Sequence, residues 1–311
     1  GIEPNELSFV MAIQACCLLR DEIPKKGHDG SFCLVIGRAL HVDAHRKGFL
    51  SHLVVVSALM CMYGKLGDIE SVEGVFSHEF EHNVVTWTTL LKGYIHQGKG
   101  MKALWMYQTM HKEGVSLDEQ AFVLFFQACS ILADEEAITI VEGRPIKIMS
   151  LEIGRALHKD AKQKGLDSGT FVGGSILHMY GKCGSIDDAE DVFVALPQRD
   201  VVSWNVMVSA YVDQGHGDKA LHLYKKMLEA SIVLDERSIV STLQACVVCL
   251  ENNEEHRSMY IEIGQNLHSN ACRDGLSSNS FIGNTLINLY GKCQYILDAE
   301  HVFGTLSKCN V

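Results

Sequence analysis

The chain has 311 residues, 47% of them hydrophobic and 21% charged, with a formal charge of -11. That balance describes a folded, core-bearing protein rather than a disordered one, and its four prolines and scattered glycines mark no linker at which to divide it. The acidic total argues against a surface coated for duplex DNA, whose phosphates supply most non-specific affinity, but leaves room for a local basic stripe.

The sequence opens GIEPN, without an initiator Met or a presequence, which reads as an internal fragment or a chain whose targeting segment has been removed. IGRALH begins at Ile36. The apolar run VVVSALMCMY at residues 54–63 is too short to span a bilayer and fits a buried helix; MYGK begins within it at Met62. HEFEHN follows at residues 78–83, and its H-E-x-x-H pattern is a metalloprotease signature only on a helix, where both imidazoles share a face, and only with a third ligand. VVTWTTLLKGYIHQGKGMKALWMYQTM, from Val84, is apolar at helical spacing on both sides of a glycine-bearing turn. The order then recurs: IGRALH from Ile153, MYGKCGSIDDAEDVF from Met179, VVSWNVMVSAYVDQGHGDKALHLYKKM from Val201, IGQNLH from Ile263 and LYGKCQYILDAEHVF from Leu289.

Self-similarity of this length is the signature of a repeat architecture, and helical hairpins that cannot bury a face alone stack into a solenoid. The expected fold class is all-α, a right-handed α-solenoid superhelix of stacked helix-turn-helix repeats. Residues 53–83, 170–200 and 280–310 form one class of unit, 84–118 and 201–235 a second, and 6–52, 119–169 and 236–279 a longer, irregular third, after a tail at 1–5. Ser185 with Asp188 spells a capping box for the second helix of its unit. In this register residues 78–82 match 195–199, past a second helix, where Pro197 leaves helical geometry; the third copy at 305–309 has neither His nor Glu, so a zinc protease is rejected. The cysteines, as in Gln-Ala-Cys at Cys16, Cys129 and Cys246, sit in apolar periodic segments and read as reduced core thiols. Cys246 and Cys249 have metal-knuckle spacing without a second pair.

These blocks, across essentially the whole chain, closely resemble plant-type pentatricopeptide repeat proteins of the PLS subclass. The three classes of unit are similar to its S, P and L motifs, in the order L-S-P-L-S-P-L-S. The L segments depart from the pattern through insertions such as residues 133–150, expected as surface loops. The resemblance implies sequence-specific binding of single-stranded RNA, about one base per repeat, in a mitochondrion or chloroplast. It implies no cofactor, metal or catalytic residue in this chain, and no membrane or DNA partner. Editing members of the subclass carry a C-terminal zinc deaminase, so this segment would be the recognition part of a C-to-U RNA editing factor, alongside other organellar editing proteins.

By the same resemblance, the fifth and last residues of a unit choose the base and the second residue flanks it. Ser57 with Asn83, Thr88 with Asp118, Asn205 with Asp235 and Asn284 with Asn310 resemble readers of A, G, U and C. Gly174 with Asp200 offers no side-chain bond at the fifth place, and the L segments carry Val10, Val123 and Val240 there, giving a site of the form N-A-G-N-N-U-N-C. Val54, Val85, Phe171, Val202 and Phe281 are the flanking residues; Lys65, Lys182 and Lys292 match a position that approaches phosphate. Other readings stand beside these. Thr88, Asn205 and Asn284 would serve as helix-start residues satisfying free amides, Val85 and Val202 as core, and the lysines as cations favoured by a helix C-terminus. Trp87 and Trp204 read as packing aromatics. A protein-binding helical scaffold is the competing function.

Overall fold

In the computed structural model, which describes residues 5–22, 31–77, 82–252 and 256–309, the chain is a succession of helical hairpins. Each hairpin has a first and a second helix. Among the described residues these are α1 (Glu6–Glu22) with α2 (Ser31–Arg46), α3 (Leu53–Leu66) with α4 (Ile69–Ser77), and α5 (Val84–His96) with α6 (Gly100–Lys112), followed by the single helices α7 (Glu119–Glu135) and α8 (Ile148–Gln163). There follow α9 (Thr170–Cys183) with α10 (Ile186–Ala195), α11 (Val201–Asp213) with α12 (Gly217–Glu229), α13 (Glu236–Asn252) with α14 (Arg257–Arg273), and α15 (Ser280–Lys292) with α16 (Ile296–Cys309).

The helix starts are chemical. Backbone N–H groups donate to Asn5 ahead of α1, Asn83 ahead of α5, Asp118 ahead of α7, Asp200 ahead of α11, Asp235 ahead of α13 and Asn279 ahead of α15, at 2.8–3.1 Å. The expected capping box at Ser185 does not form. Its hydroxyl donates to Asp188 Oδ2 at 2.6 Å and caps no backbone amide, and the Ser185 N–H that Asp188 would accept already donates to Tyr180 O at 3.0 Å.

Contacts gather the chain into two compact units, Gly1–Glu135 and Glu136–Val311, a division the composition does not mark. The boundary falls within the irregular segment 119–169, where inserted residues part α7 from α8. In the first unit α1, α3, α5 and α7 pack side by side as one layer with α2, α4 and α6 against them; in the second α9, α11, α13 and α15 form the equivalent layer. Leu59, Leu91, Phe122 and Phe125 fill the interior of the first unit, and Ile176, Leu243, Leu286 and Tyr290 that of the second.

The recurring words of the sequence are the welds of this stack. His41 Nδ1 meets the Tyr63 hydroxyl at 3.1 Å, His158 meets Tyr180 at 2.9 Å and His268 meets Tyr290 at 3.1 Å, joining IGRALH or IGQNLH to the tyrosine of MYGK or LYGK. A Cβ on Gly37, Gly154 or Gly264 would strike Met62, Met179 or Leu289, so glycine lets the two helices close up. Glu73 accepts from the Tyr94 hydroxyl at 2.8 Å and Lys102 at 3.1 Å, and Glu190 repeats this with Tyr211 at 2.5 Å and Lys219 at 3.8 Å.

Two expectations are corrected. Cys61 and Cys272 are exposed, whereas Cys16, Cys17, Cys33, Cys129, Cys183, Cys246, Cys249 and Cys293 are buried as core thiols. The insertion at 133–150 is no loop: β1 (Thr139–Val141) pairs antiparallel with β2 (Arg144–Ile146) around Glu142 and Gly143, both at positive φ. That geometry is a two-residue turn matching strand twist, built on Glu-Gly in place of the commoner Asn-Gly. The hairpin is anchored through its second strand and flanks, while β1 is exposed. Lys147 N–H donates to Cys183 O at 3.0 Å, Gln214 Nε2 to Pro145 O at 2.9 Å, Arg144 pairs with Asp187 at 2.8 Å, and the Glu136 carboxylate takes the Met149 and Ser150 amides at the start of α8.

Candidate nucleic-acid interface

The flanking residues come first because their exposure is unexpected for apolar side chains. Val54 is 61% exposed, Val85 54%, Phe171 82%, Val202 54% and Phe281 69%, all in the first turn of a first helix, so the core reading of Val85 and Val202 fails. Trp87 and Trp204, by contrast, are buried edge-on to Phe76 and Phe193 at 4.7 and 5.0 Å between ring centroids, as packing aromatics.

The fifth residues lie one turn further along each helix. Asn205 is buried and held from two sides: its Nδ2 donates to Asp235 Oδ1 at 2.8 Å and its Oδ1 accepts from Ser238 Oγ at 2.8 Å. Desolvation raises the Asp235 carboxyl, but hydrogen bonds from Ser238 and Asn205 outweigh it and hold the group below the ordinary carboxylate range. The fifth and last residues of this unit are thus bonded partners. Thr88 is also buried, and its hydroxyl donates to Val84 O at 2.8 Å, which leaves it acceptor capacity. Ser57 and Gly174 are half-buried, Asn284 is exposed, and space above Gly174 is open. Asn310 lies outside the described residues. Capping belongs to the last residue of the preceding unit, as at Asn83, Asp118, Asp200 and Asp235, and not to Thr88 or Asn205. Val240 lines the groove, and Val10 and Val123 are half-buried.

Lys65, Lys182 and Lys292 are exposed in the last turns of α3, α9 and α15, where the helix dipole also favours a cation. Lys292 is ion-paired with Glu251. In the second unit the layer of first helices carries a groove of about 490 Å³ in which Asn205, Lys182 and Phe281 meet Arg237, Gln244 and His178. Arg237 was missed by sequence reasoning. Its signal was position: it is the second residue of its unit, the place Val202 holds in the preceding one.

Residues 78–81 of the H-E-x-x-H stretch lie outside the described residues; the ring of His82 stacks on Phe76 at 3.8 Å. In the matching stretch α10 has ended at Ala195, and Arg199 donates to Phe193 O at 2.8 Å, while in the third copy α16 continues through that place to Cys309. Among the described residues no group of side chains is placed to hold a metal ion, and no helix is long and apolar enough to cross a membrane.

The PPR repeat family model matches residues 82–130 and 199–247, and the PPR repeat model matches residues 54–78, 174–201 and 284–311. This chain belongs to the pentatricopeptide repeat family. It is 30% identical, over 89% of its length, to 25% of the mitochondrial pentatricopeptide repeat-containing protein At3g09040 of Arabidopsis thaliana. It is 27% identical, over 99% of its length, to 44% of the chloroplastic protein At4g18520 of the same plant. The pentatricopeptide repeat chain therefore spans between a quarter and under a half of these curated relatives. Its fold is that of the pentatricopeptide repeat protein PPR10, solved in complex with an 18-nt psaJ RNA element: the TM-score is 0.56 at 15% identity, covering all of this chain and 51% of the other.

Proposed function

We propose that this pentatricopeptide repeat chain binds single-stranded RNA on the first helices of its repeats, reading about one base per repeat. The observation that carries the reading is the set of five exposed apolar residues, Val54, Val85, Phe171, Val202 and Phe281, each beside a polar or small residue one turn on. Apolar side chains left in water at a repeating position serve stacking against flat, unpaired bases, while the deeper polar groups meet Watson–Crick edges. Ser57 with Asn83, Thr88 with Asp118, Asn205 with Asp235 and Asn284 with Asn310 select A, G, U and C, and Lys65, Lys182 and Lys292 supply positive charge.

The mitochondrial and chloroplastic names of relatives support an organellar setting. The L-S-P order supports the finer reading, in which the chain is the address-reading part of a C-to-U editing factor of the PLS subclass and any deamination belongs to a domain outside it. The test is selection from a randomised RNA pool at about 0.15 M salt, where weak surface electrostatics is screened, repeated with Asn205→Thr. Enrichment of the A-G and U spacing is expected, with U giving way to G in the variant. A folded chain that enriches nothing is a protein-binding scaffold instead.

A further inference from the structure

The glutamine of the repeated Gln-Ala-Cys word stands outside the residue pairs that choose a base. Gln14, Gln127 and Gln244 each come four residues after Val10, Val123 and Val240, the apolar fifth residues of the three long units. Four residues is about one helical turn, so each valine and its glutamine share a face of α1, α7 or α13. The valines are half-buried and the glutamines exposed. Among the described residues from 121 to 133 Gln127 alone is exposed, and among those from 238 to 250 Gln244 alone is, in runs otherwise buried or half-buried.

In the second unit Gln244 lines the groove of about 490 Å³ together with Asn205, Arg237, Val240 and Phe281. Arg237 and Phe281 hold the second places of consecutive repeats, so a base in this part of the groove has a guanidinium plane and a phenyl ring to lie against. Val240 offers that base no hydrogen bond. A long side chain on a helix leans toward the N-terminus and covers the turn before its own Cα, which carries the Gln244 amide back over Val240. The glutamine thus supplies the polar head that the fifth residue lacks.

Asn205 and the glutamines differ in freedom. Asn205 is held by Asp235 and Ser238 at 2.8 Å each, whereas among the described residues no group holds the side-chain amide of Gln14, Gln127 or Gln244. Every base sets a donor beside an acceptor on its Watson–Crick edge: an amino group and a ring nitrogen in A and C, a ring N–H and a carbonyl in G and U. A primary amide also carries one of each, and by turning over it matches either order. We propose that Gln14, Gln127 and Gln244 are sequence-tolerant base contacts, each a free amide that hydrogen-bonds whichever base lies over the apolar fifth residue, so that the long units hold bases without choosing them. The inference rests on the RNA-binding reading, and its test separates the two.

Affinity is measured at about 0.15 M salt for labelled oligoribonucleotides of the form N-A-G-N-N-U-N-C whose seventh nucleotide is A, C, G, U or abasic. The intact chain is expected to bind the four bases within about twofold of one another and the abasic form about tenfold more weakly, through loss of stacking and hydrogen bonds together. Gln244→Met keeps side-chain length and helix propensity and removes the amide. With helicity checked by circular dichroism, it is expected to weaken binding of all four bases alike, by about fivefold, and to leave the abasic affinity unchanged. Gln127→Met is expected to do the same at the fourth nucleotide. A loss confined to one base makes the glutamine a selector, an equal loss on the abasic oligonucleotide puts it on the RNA backbone, and no loss takes it out of the interface; each of these overturns the proposal. A folded chain that binds none of the oligonucleotides sinks the RNA reading itself, whereas a preference for U at the sixth nucleotide with no effect of either glutamine keeps that reading and sinks the tolerant contact alone.

Discussion

Asn205 cannot rotate freely, because Ser238 and Asp235 occupy its oxygen and one amide hydrogen, and a base would meet a side chain already fixed in direction. Ser238→Ala removes the hydroxyl that bonds both partners and is expected to cut the preference for U by about 1 kcal/mol, the net worth of one hydrogen bond, in competition binding with single-base RNA variants. The open space above Gly174 makes the opposite change available. Gly174→Asn beside Asp200 is expected to give its silent unit a preference for U in the same selection. The His–Tyr pairs carry a pH dependence. Burial lowers the imidazoles of His158 and His268 and pushes the Tyr290 hydroxyl up to about 12, so the neutral imidazole can accept the tyrosine proton at Nδ1. With folded values below that of the unfolded chain, stability is complete above about pH 6.5 and falls as acid protonates the unfolded state first. Urea midpoints measured from about pH 7.5 to 5.5 should therefore drop, and drop less in a His158→Gln, His268→Gln variant. The histidines were visible as repeated letters, but nothing in the sequence paired them with tyrosines 22 residues away.

At the scale of elements, the first helices were legible because each begins at a polar cap and runs apolar at helical spacing, as in α11 behind Asp200. The β-hairpin was not. Its strands are three residues each, below the length at which alternation registers, and their anchors lie in other repeats. Those anchors distinguish two otherwise equivalent glycines. Gly67 and Gly184 both take φ near 80°, but only Gly184 has the Pro145 carbonyl against it. Gly67→Ala is expected to cost about 1–2 kcal/mol for the left-handed backbone, and Gly184→Ala distinctly more, in urea unfolding of each variant.

For the whole molecule, a charge of -11 makes any hold on RNA depend on where the cations sit. Three lysine contacts predict a log–log salt slope of magnitude about 2, with Lys65→Ala reducing it more than Lys292→Ala, because Lys292 is already paired with Glu251; equal losses would place the backbone elsewhere. The sequence by itself determined the helical class and the self-similar blocks of paired helices, because hydrophobic periodicity and caps are local and act within a few residues. Only the tertiary structure decided that Val85 and Val202 face solvent, that Asn205 and Asp235 bond each other across a unit, and that an insertion sets the Pro145 carbonyl against Gly184. Exposure, side-chain pairing and close backbone approach depend on which helices pack together, and that is a property of neighbours distant in the chain.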